Sequence, residues 1–408
     1  MKNRISVTIM AFLIAAMVLS ACSTSTQIDP SAQTAVAQTL DAIVQLSQTP
    51  VNTATEKATA TQIPPTATAT ATIVPTPVVE ASGPNNFPAN VNPLTGLTVE
   101  DVDLLDRRPV MVKVANYPAV GRPHAGLSFA DIVFEYYIGA GVNRFMGLYY
   151  GQNSEKIGPV RSGRFVDPQI VSMYQGILGF WSADERVYSR ILEVLGNRAI
   201  TGSENTCPGF CDDGRNIVTS KFGDSAALSQ IAEQRGVTNS KPNLDGMRFD
   251  PAVPAEGEPG EDVVVSFGSI NQGEWKYDQT SGKYLRWIEE TDAANNLTMI
   301  PLVDSITDEQ LAFSNVIILY AYYTEYSPTL HDISVWDNTS GRPAVVFRNG
   351  QAYDVIWKAA SMQSPIQFTY PNGEMFPLNP GNSWMVFMGS YSEDKVADGI
   401  WTFTNYLP

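Results

Sequence analysis

Histidine, cysteine and positive charge are all scarce in this chain. Its 408 residues include two histidines and three cysteines, and neither His124 nor His331 has the paired spacing of a zinc site. The 42 acidic residues outnumber the 26 basic ones, which gives a formal net charge of −16. Nucleic acid is a disfavoured partner, because binding a phosphate backbone requires a basic face. We expect no bound metal and no cofactor.

Signatures of the common enzyme classes are also missing. The sequence has no G-x-S-x-G elbow, no H-E-x-x-H helix, no phosphate-binding P-loop and no EF-hand loop. Asp184 and Glu185 have the residue types of a general acid and base, but the start of a helix explains both, because the helix dipole favours acidic residues there. No motif therefore predicts a catalytic residue.

The N-terminus has the three parts of an export signal. Lys2 and Arg4 precede an apolar run over residues 5–19, which is shorter than the ~20 residues that a membrane-spanning helix needs. The run ends in Leu-Ser-Ala-Cys, which resembles the lipobox of bacterial lipoproteins. We predict a signal peptide at residues 1–21 and a lipidated Cys22 that holds the protein at the outer face of the bacterial cytoplasmic membrane. The alternatives are an ordinary signal peptide and an uncleaved anchor.

Residues 22–87 carry few large apolar side chains. Val36, Leu40 and Ile43 recur at helical spacing and predict one short amphipathic helix, which is either marginally stable or a docking element. Residues 48–87 are rich in Thr, Ala and Pro and cannot form a core. As a coil they would span roughly 35 Å, and as polyproline II about 120 Å. We therefore expect a stalk that holds the folded part away from the bilayer.

The remaining chain divides into two folded parts. Residues 88–245 mix strand-like and helix-like segments and predict an α/β or α+β layered domain. Residues 255–408 contain strand signals at short intervals, with an Asn349-Gly350 hairpin turn, and predict a mainly antiparallel β domain. The Pro- and Gly-rich stretch 251–260 is the expected boundary.

Two cysteines remain if Cys22 carries lipid. Cys207 and Cys211 are close together in a loop-like stretch that contains Pro and Gly. Outside the cytoplasm such a pair indicates first a local disulfide that fixes the shape of a loop. The alternative is half of a metal site, for which the chain offers no further ligands at suitable spacing.

Several segments resemble the family of YerB-like lipoproteins. In the first folded part they are 92–97, 122–135, 144–146 and Glu155–Arg164, which reads EKIGPVRSGR. In the second part they are 275–278, 282–286, 357–358 and 378–384. The resemblance covers nearly the whole folded region and implies a two-domain, lipid-anchored extracytoplasmic protein with a layered α/β first domain. It implies no catalytic residue, because the function of the family is unknown. One departure is Arg215, which precedes Asn216 where the family usually has a His.

Three arginines lie in or beside strand and turn segments of the first part. In an otherwise acidic chain they predict an anion-recognising pocket, because a guanidinium group binds carboxylate or phosphate through two parallel hydrogen bonds. The predicted ligand-binding residues are Glu135, Arg144, Arg161, Arg164 and Asn216. The alternative is that the arginines form internal pairs with carboxylates nearby in the fold, such as Glu135, Asp131 and Asp167.

Two functions agree with these observations. The first is a binding or scaffold module of the cell envelope that recognises a protein or an anionic wall component. The second is an enzyme that acts on wall glycan or peptide, with Glu135 or a neighbouring carboxylate as the reacting group and the arginines as an electrostatic clamp.

We expect the Cys22→Ala variant to lose its lipid, because Cys22 is the one acceptor thiol at the end of the leader. Metabolic labelling with a fatty-acid analogue measures this. Continued labelling of the variant would contradict the lipoprotein prediction.

Overall fold

A computed structural model describes residues 80–202, 207–216, 218–292 and 296–407. The predicted signal peptide, Cys22, the short helix and most of the stalk lie outside the described residues. Within those ranges no helix is long and apolar enough to cross a membrane. The last residues of the predicted stalk pack on the folded part: Ser82 forms an antiparallel bridge with Phe249, and the ring of Phe87 lies 6.5 Å from that of Phe249. Residues 82–87, which the sequence analysis assigns to the stalk, therefore include contacts with the folded part.

The first folded part contributes three α-helices and eight strands to the described residues. The helices are α1 (Asp167–Met173), α2 (Glu185–Leu195) and α3 (Ser225–Gln234). The strands are β1 (Val110–Ala115), β2 (Ile132–Gly139), β3 (Val142–Tyr149), β4 (Ile177–Phe180), β5 (Ala199–Thr201), β6 (Phe210–Asp212), β7 (Lys221–Gly223) and β8 (Arg248–Phe249).

The second folded part is built from strands. They are β9 (Glu258–Pro259), β10 (Asp262–Gly268), β11 (Asn271–Asp278), β12 (Lys283–Thr291), β13 (Leu297–Pro301), β14 (Ala312–Phe313), β15 (Asn315–Ser327), β16 (Leu330–Ser334), β17 (Arg342–Arg348), β18 (Gln351–Ala359), β19 (Ile366–Thr369), β20 (Pro377–Leu378), β21 (Ser383–Gly389), β22 (Glu393–Ala397) and β23 (Ile400–Thr404). Asn349 and Gly350 both have positive φ, at 52° and 72°, as the type I′ hairpin turn requires.

One sheet of twelve strands runs through both parts. Its order is β19-β18-β17-β15-β21-β2-β3-β1-β4-β5, with β16 paired to β15 and β9 paired to β18. Strand β21 lies between β2 and β15 and is parallel to both. The second part is mainly antiparallel, as the sequence predicts, and β21 is one exception. All seven residues of β21 are buried, because it has a strand on each edge and packed layers on both faces.

Helices and a second sheet cover the two faces of this large sheet. Successive residues of β1 point to opposite faces, so Met111 belongs to one apolar cluster and Val112 to the other. The cluster around Met111 includes residues of α1 and α2, and the cluster around Val112 includes residues of α3. That second cluster also includes the inner side of a seven-stranded sheet of order β13-β12-β11-β10-β23-β22, with β14 on β12. The first part therefore has the predicted layered α/β architecture.

A substitution of Trp384 on β21 tests whether the two folded parts unfold together. Its side chain is fully buried, and we expect Trp384→Ala to cost about 3–5 kcal/mol of the free energy of unfolding. Hydrogen exchange should show faster exchange along Val110–Ala115 in the first part as well as along β21. The matched control is Tyr391→Ala, since Tyr391 is 64% exposed. Unchanged protection of β1 in Trp384→Ala would mean that the two parts unfold separately.

Candidate anion-binding site

Strand register places a lysine, a tyrosine and an arginine on one face of the large sheet. Arg144 on β3 lies directly opposite Ala115 on β1 and Tyr136 on β2. Residues directly opposite in antiparallel strands share a face, and Lys113 shares the face of Ala115, two residues away. This is the face that α1 and α2 cover. Arg144 is 7% exposed and Lys113 is fully buried.

The segment 161–164 brings two more arginines to this face. The backbone N–H of Arg161 donates to the carbonyl of Lys113 at 3.0 Å, and the carbonyl of Arg161 accepts from Trp181 N–H at 3.0 Å. Gly163 fits closely, because a Cβ there would lie 2.6 Å from Cδ1 of Ile191. The N–H of Arg164 donates to Asp167 Oδ2 at 2.7 Å. The segment therefore docks between β1, the end of β4 and the start of α1.

Each of the three guanidinium groups donates to a backbone carbonyl. Nη1 of Arg144 donates to Asn143 at 3.1 Å, Nη1 of Arg164 to Gly163 at 3.1 Å, and Nη1 of Arg161 to Val218 at 3.0 Å. Nε of all three is enclosed and has no acceptor, and Nη2 meets no acceptor among the described residues. Each arginine therefore keeps the two N–H donors of Nη2 for a ligand.

Burial is the largest influence on the electrostatics of this cluster, and repulsion between the arginines adds to it. The pKa of Arg144 is lowered to about 9, first by burial and then by the charges of Arg164 and Arg161. The pKa values of Arg161 and Arg164 are also lowered, first by burial. Within the described residues, none of the three forms an ion pair within 4 Å. The internal pairs considered above are therefore absent there, although the charge of Asp167 raises the pKa of Arg164.

A buried polar network that the sequence analysis missed lies beneath the arginines. Nζ of Lys113 is 3.2 Å from Oδ1 of Asp167, and both side chains are fully buried. The hydroxyl of Tyr136 accepts from Lys113 and donates to Asp167. Burial lowers the pKa of Lys113 to about 8. The sequence does contain a signal for this network, namely a single lysine inside the apolar strand Val110–Ala115. A buried lysine requires a polar or charged partner.

Glu135, which the sequence analysis grouped with the arginines, points to the opposite face. It lies opposite Phe145, one position before the pair of Tyr136 and Arg144. Its carboxylate accepts from Trp384 Nε1 at 2.7 Å and from Asn143, and it is 3.4 Å from Nη2 of Arg286. The structure therefore does not bring Glu135 to the arginine cluster.

Asn216 lies in an exposed turn beside the cluster. Its Oδ1 accepts from the N–H of Val218 at 2.9 Å, and the carbonyl of Val218 is the acceptor for Arg161. Asn216 thus shapes the turn that holds Arg161. The same loop region contains the Cys207–Cys211 disulfide, which is present in the structure.

A separate cleft of about 620 Å³ lies away from the arginines. It is lined by parts of four segments of family resemblance, around Asn92, Asp131, Lys283 and Asn382. The carboxylate of Asp131 in this cleft accepts from Asn92 Nδ2 at 2.8 Å and from the N–H groups of Tyr150 and Gly151. Burial raises the pKa of Asp131 to about 6. Since these contacts already satisfy the carboxylate, the arginine cluster is the stronger candidate.

Comparison with known proteins identifies the family. Residues 94–238 match the N-terminal domain, and residues 263–385 the C-terminal domain, of a protein of unknown function (DUF3048). The chain belongs to this family. It is 26% identical over 316 residues to "Putative lipoprotein YerB" of Bacillus subtilis (strain 168), covering 75% of this chain and 88% of that protein. The crystal structure of YerB from Bacillus subtilis superposes with a TM-score of 0.60 at 25% identity, covering 73% of this chain and 96% of the other.

The two DUF3048 domains share a buried ion pair. Arg286 of the C-terminal domain is 1% exposed, and its guanidinium lies 4.1 Å from the ring centroid of Trp275 and 5.1 Å from that of Trp384. Gly273 leaves room for it, because a Cβ there would lie 2.2 Å from Nη2 of Arg286. Glu135 of the N-terminal domain supplies the opposite charge. This pair lies between the two DUF3048 domains and is distinct from the arginine cluster.

Removing one partner of the pair should be more costly than removing both. We expect Arg286→Met to lower the free energy of unfolding by about 3–5 kcal/mol, because it leaves the Glu135 carboxylate buried without its counter-charge. Adding Glu135→Gln should recover part of the loss, measured by urea denaturation. The control is Arg190→Met: Arg190 pairs with Glu193 at 3.0 Å on the surface, where a pair contributes about 0–1 kcal/mol. Additive effects of Glu135→Gln and Arg286→Met would show that the two charges are not coupled.

Proposed function

We propose that this protein is a lipid-anchored extracytoplasmic protein that binds an anionic component of the cell envelope through Arg144, Arg161 and Arg164. One observation carries the proposal: three neighbouring guanidinium groups have no ion pair within the described residues and keep the unpaired donors of their Nη2 atoms. An arginine cluster of this kind is expensive without an anion, because its charges repel one another and its enclosed donors are unsatisfied.

The arrangement supports binding over the catalytic alternative. A wall hydrolase that used Glu135 would need its carboxylate beside the arginines and exposed to substrate. Glu135 instead lies on the other face of the sheet and is 1% exposed, with Arg286, Trp384 and Asn143 as partners. Asp167, the carboxylate closest in the chain to Arg164, is fully buried against Lys113.

The sequence and the relative support a location in the cell envelope. The lipobox-like segment that ends at Cys22 would supply an anchor, and the Thr/Pro-rich stretch after it would supply reach. The Bacillus subtilis relative is named "Putative lipoprotein YerB". An anchored protein on a stalk can reach the wall or a neighbouring membrane protein, and the unpaired arginines favour an anionic partner.

The direct test is co-sedimentation of the full-length protein with purified wall sacculi. We expect the wild type to bind sacculi with intact anionic polymers, and Arg161→Ala and Arg164→Ala each to bind about 10-fold more weakly, since a hydrogen bond to a charged group contributes about 1.5–3 kcal/mol. Acid-stripped sacculi should not bind. Both variants should keep their stability within ~1 kcal/mol, because neither arginine has an ion pair to lose.

Arg190→Ala is the control for this experiment, because Arg190 is an arginine on the surface of α2 that is paired with Glu193. It should bind like the wild type. If Arg161→Ala and Arg164→Ala lose several kcal/mol of stability and bind sacculi normally when folded, the arginines serve structure and the proposal is wrong. Capture of an acidic protein by in-cell crosslinking, with no binding to sacculi, would show that the anionic partner is a protein and not the wall.

A further inference from the structure

We infer that the arginine site takes a phosphate oxyanion with at least two charges, namely a phosphate monoester or a pyrophosphate group, in preference to a single carboxylate or an isolated phosphodiester. This inference rests on the proposed function, since it names the chemistry of the anion bound at the same three arginines.

The charge of the site exceeds what one carboxylate can neutralise. Asp167 compensates Lys113, whose Nζ is 3.2 Å away. Arg144, Arg161 and Arg164 remain as three positive charges without an ion pair among the described residues, close enough for each pair to interact. A monoanion would leave two of these charges unbalanced in a partly buried setting, where repulsion is stronger than in water. A dianion leaves one.

The donors come from three different positions of the backbone. Arg144 projects from β3, whereas Arg161 and Arg164 stand at the two ends of the docked segment 161–164. Each guanidinium is fixed by a carbonyl on Nη1 and keeps Nη2 unpaired. Three Nη2 groups offer six N–H donors, which exceeds the capacity of one planar carboxylate. A phosphate monoester presents three terminal oxygens, and pyrophosphate presents more, in several directions.

The burial of Arg144 supports the inference independently of the charge of the site. Its side chain is more than nine-tenths buried, and its Nε has no acceptor. An enclosed guanidinium donor without an acceptor costs free energy that a bound oxyanion would recover. The site is therefore preorganised for a ligand that reaches the deepest of the three arginines.

The buried network gives this site a distinctive pH dependence. Lys113 is faced by Tyr136 from β2, Arg144 from β3, Arg164 from the docked segment and Asp167 from α1. Its pKa is lowered to about 8 by burial, so above that pH it becomes neutral. Asp167 then opposes the anion instead of balancing Lys113, and affinity falls. Below about pH 6 a phosphate monoester gains a proton and becomes a monoanion, so affinity falls again.

The experiment is isothermal titration calorimetry of the full-length protein in detergent at constant ionic strength. The probes are glycerol 3-phosphate, inorganic pyrophosphate, dimethyl phosphate and acetate. We expect the first two to bind at least about 10-fold more tightly than the last two, because 1.4 kcal/mol corresponds to a factor of ten. Glycerol 3-phosphate should bind best between pH 6 and 8. Sulfate, which keeps its double charge in acid, should lose affinity only on the alkaline side.

Variants test whether the phosphate probes bind at the arginine site. Arg161→Ala and Arg164→Ala should each weaken glycerol 3-phosphate by about 10-fold or more, and Arg190→Ala should not. Arg161→Lys should bind at an intermediate level, since it keeps the charge without the planar guanidinium donors. Short-chain phosphatidic acid separates two sources of the same chemistry: tighter binding than glycerol 3-phosphate indicates a lipid headgroup, and equal binding a soluble or wall-borne monoester.

The outcomes separate this inference from the proposed function. If acetate or dimethyl phosphate binds as tightly as glycerol 3-phosphate, the preference for a dianion is wrong while anion binding stands. If no phosphate probe binds but sacculi still bind through the arginines, the ligand class is likewise wrong. Phosphate binding that survives Arg161→Ala and Arg164→Ala would place it elsewhere and overturn the inference. Loss of both sacculus and probe binding in the wild type would remove the proposed function as well.

Discussion

The parallel pairing of β21 with β2 is the contact on which the rest of the structure depends. It aligns Ile132–Tyr136 with Ser383–Phe387, and β15 pairs with the other edge of β21. Backbone groups in the centre of a buried sheet need all their hydrogen bonds, so removing β21 would leave one edge of β2 and one edge of β15 without a partner strand. The two matched domains therefore share one sheet. The residues of the arginine cluster come from the first domain, but the position of their sheet face depends on the second.

Strand β2 also separates the buried ion pair of Glu135 and Arg286 from the candidate site. On one face, Glu135 meets Arg286 and Trp384 and closes the contact between the domains. On the other, Tyr136 meets Lys113 and Asp167 beneath the arginines. Neighbouring residues of β2 thus serve opposite layers, because side chains alternate along a strand. A fully partnered carboxylate stabilises the fold, whereas guanidinium groups without carboxylates are suited to an external anion.

Local structure could be predicted from the sequence, and long-range pairing could not. The antiparallel character of the second part, the Asn349-Gly350 turn and the layered first part are confirmed, because each depends on local patterns. The continuous sheet was missed, since an apolar strand such as β21 indicates burial but not its partner. Arg144, Arg161 and Arg164 do come together. The prediction that Glu135 lies with the arginines is wrong because the register of β2 and β3 shifts between Tyr137 and Gly139. A one-residue shift moves every side chain of β2 that precedes it to the opposite face of the sheet.

The acidic net charge and the unpaired arginines act on an approaching anion over different distances. The net charge of −16 repels anions at long range, and salt screens this repulsion beyond roughly 10 Å. Close to Arg144, Arg161 and Arg164 the field has the opposite sign, because no ion pair within the described residues cancels it. A ligand bound only to the folded state stabilises that state. Anion binding relieves the repulsion among the guanidinium groups, so a bound anion should stabilise the face formed by β1, β2 and β3 most strongly.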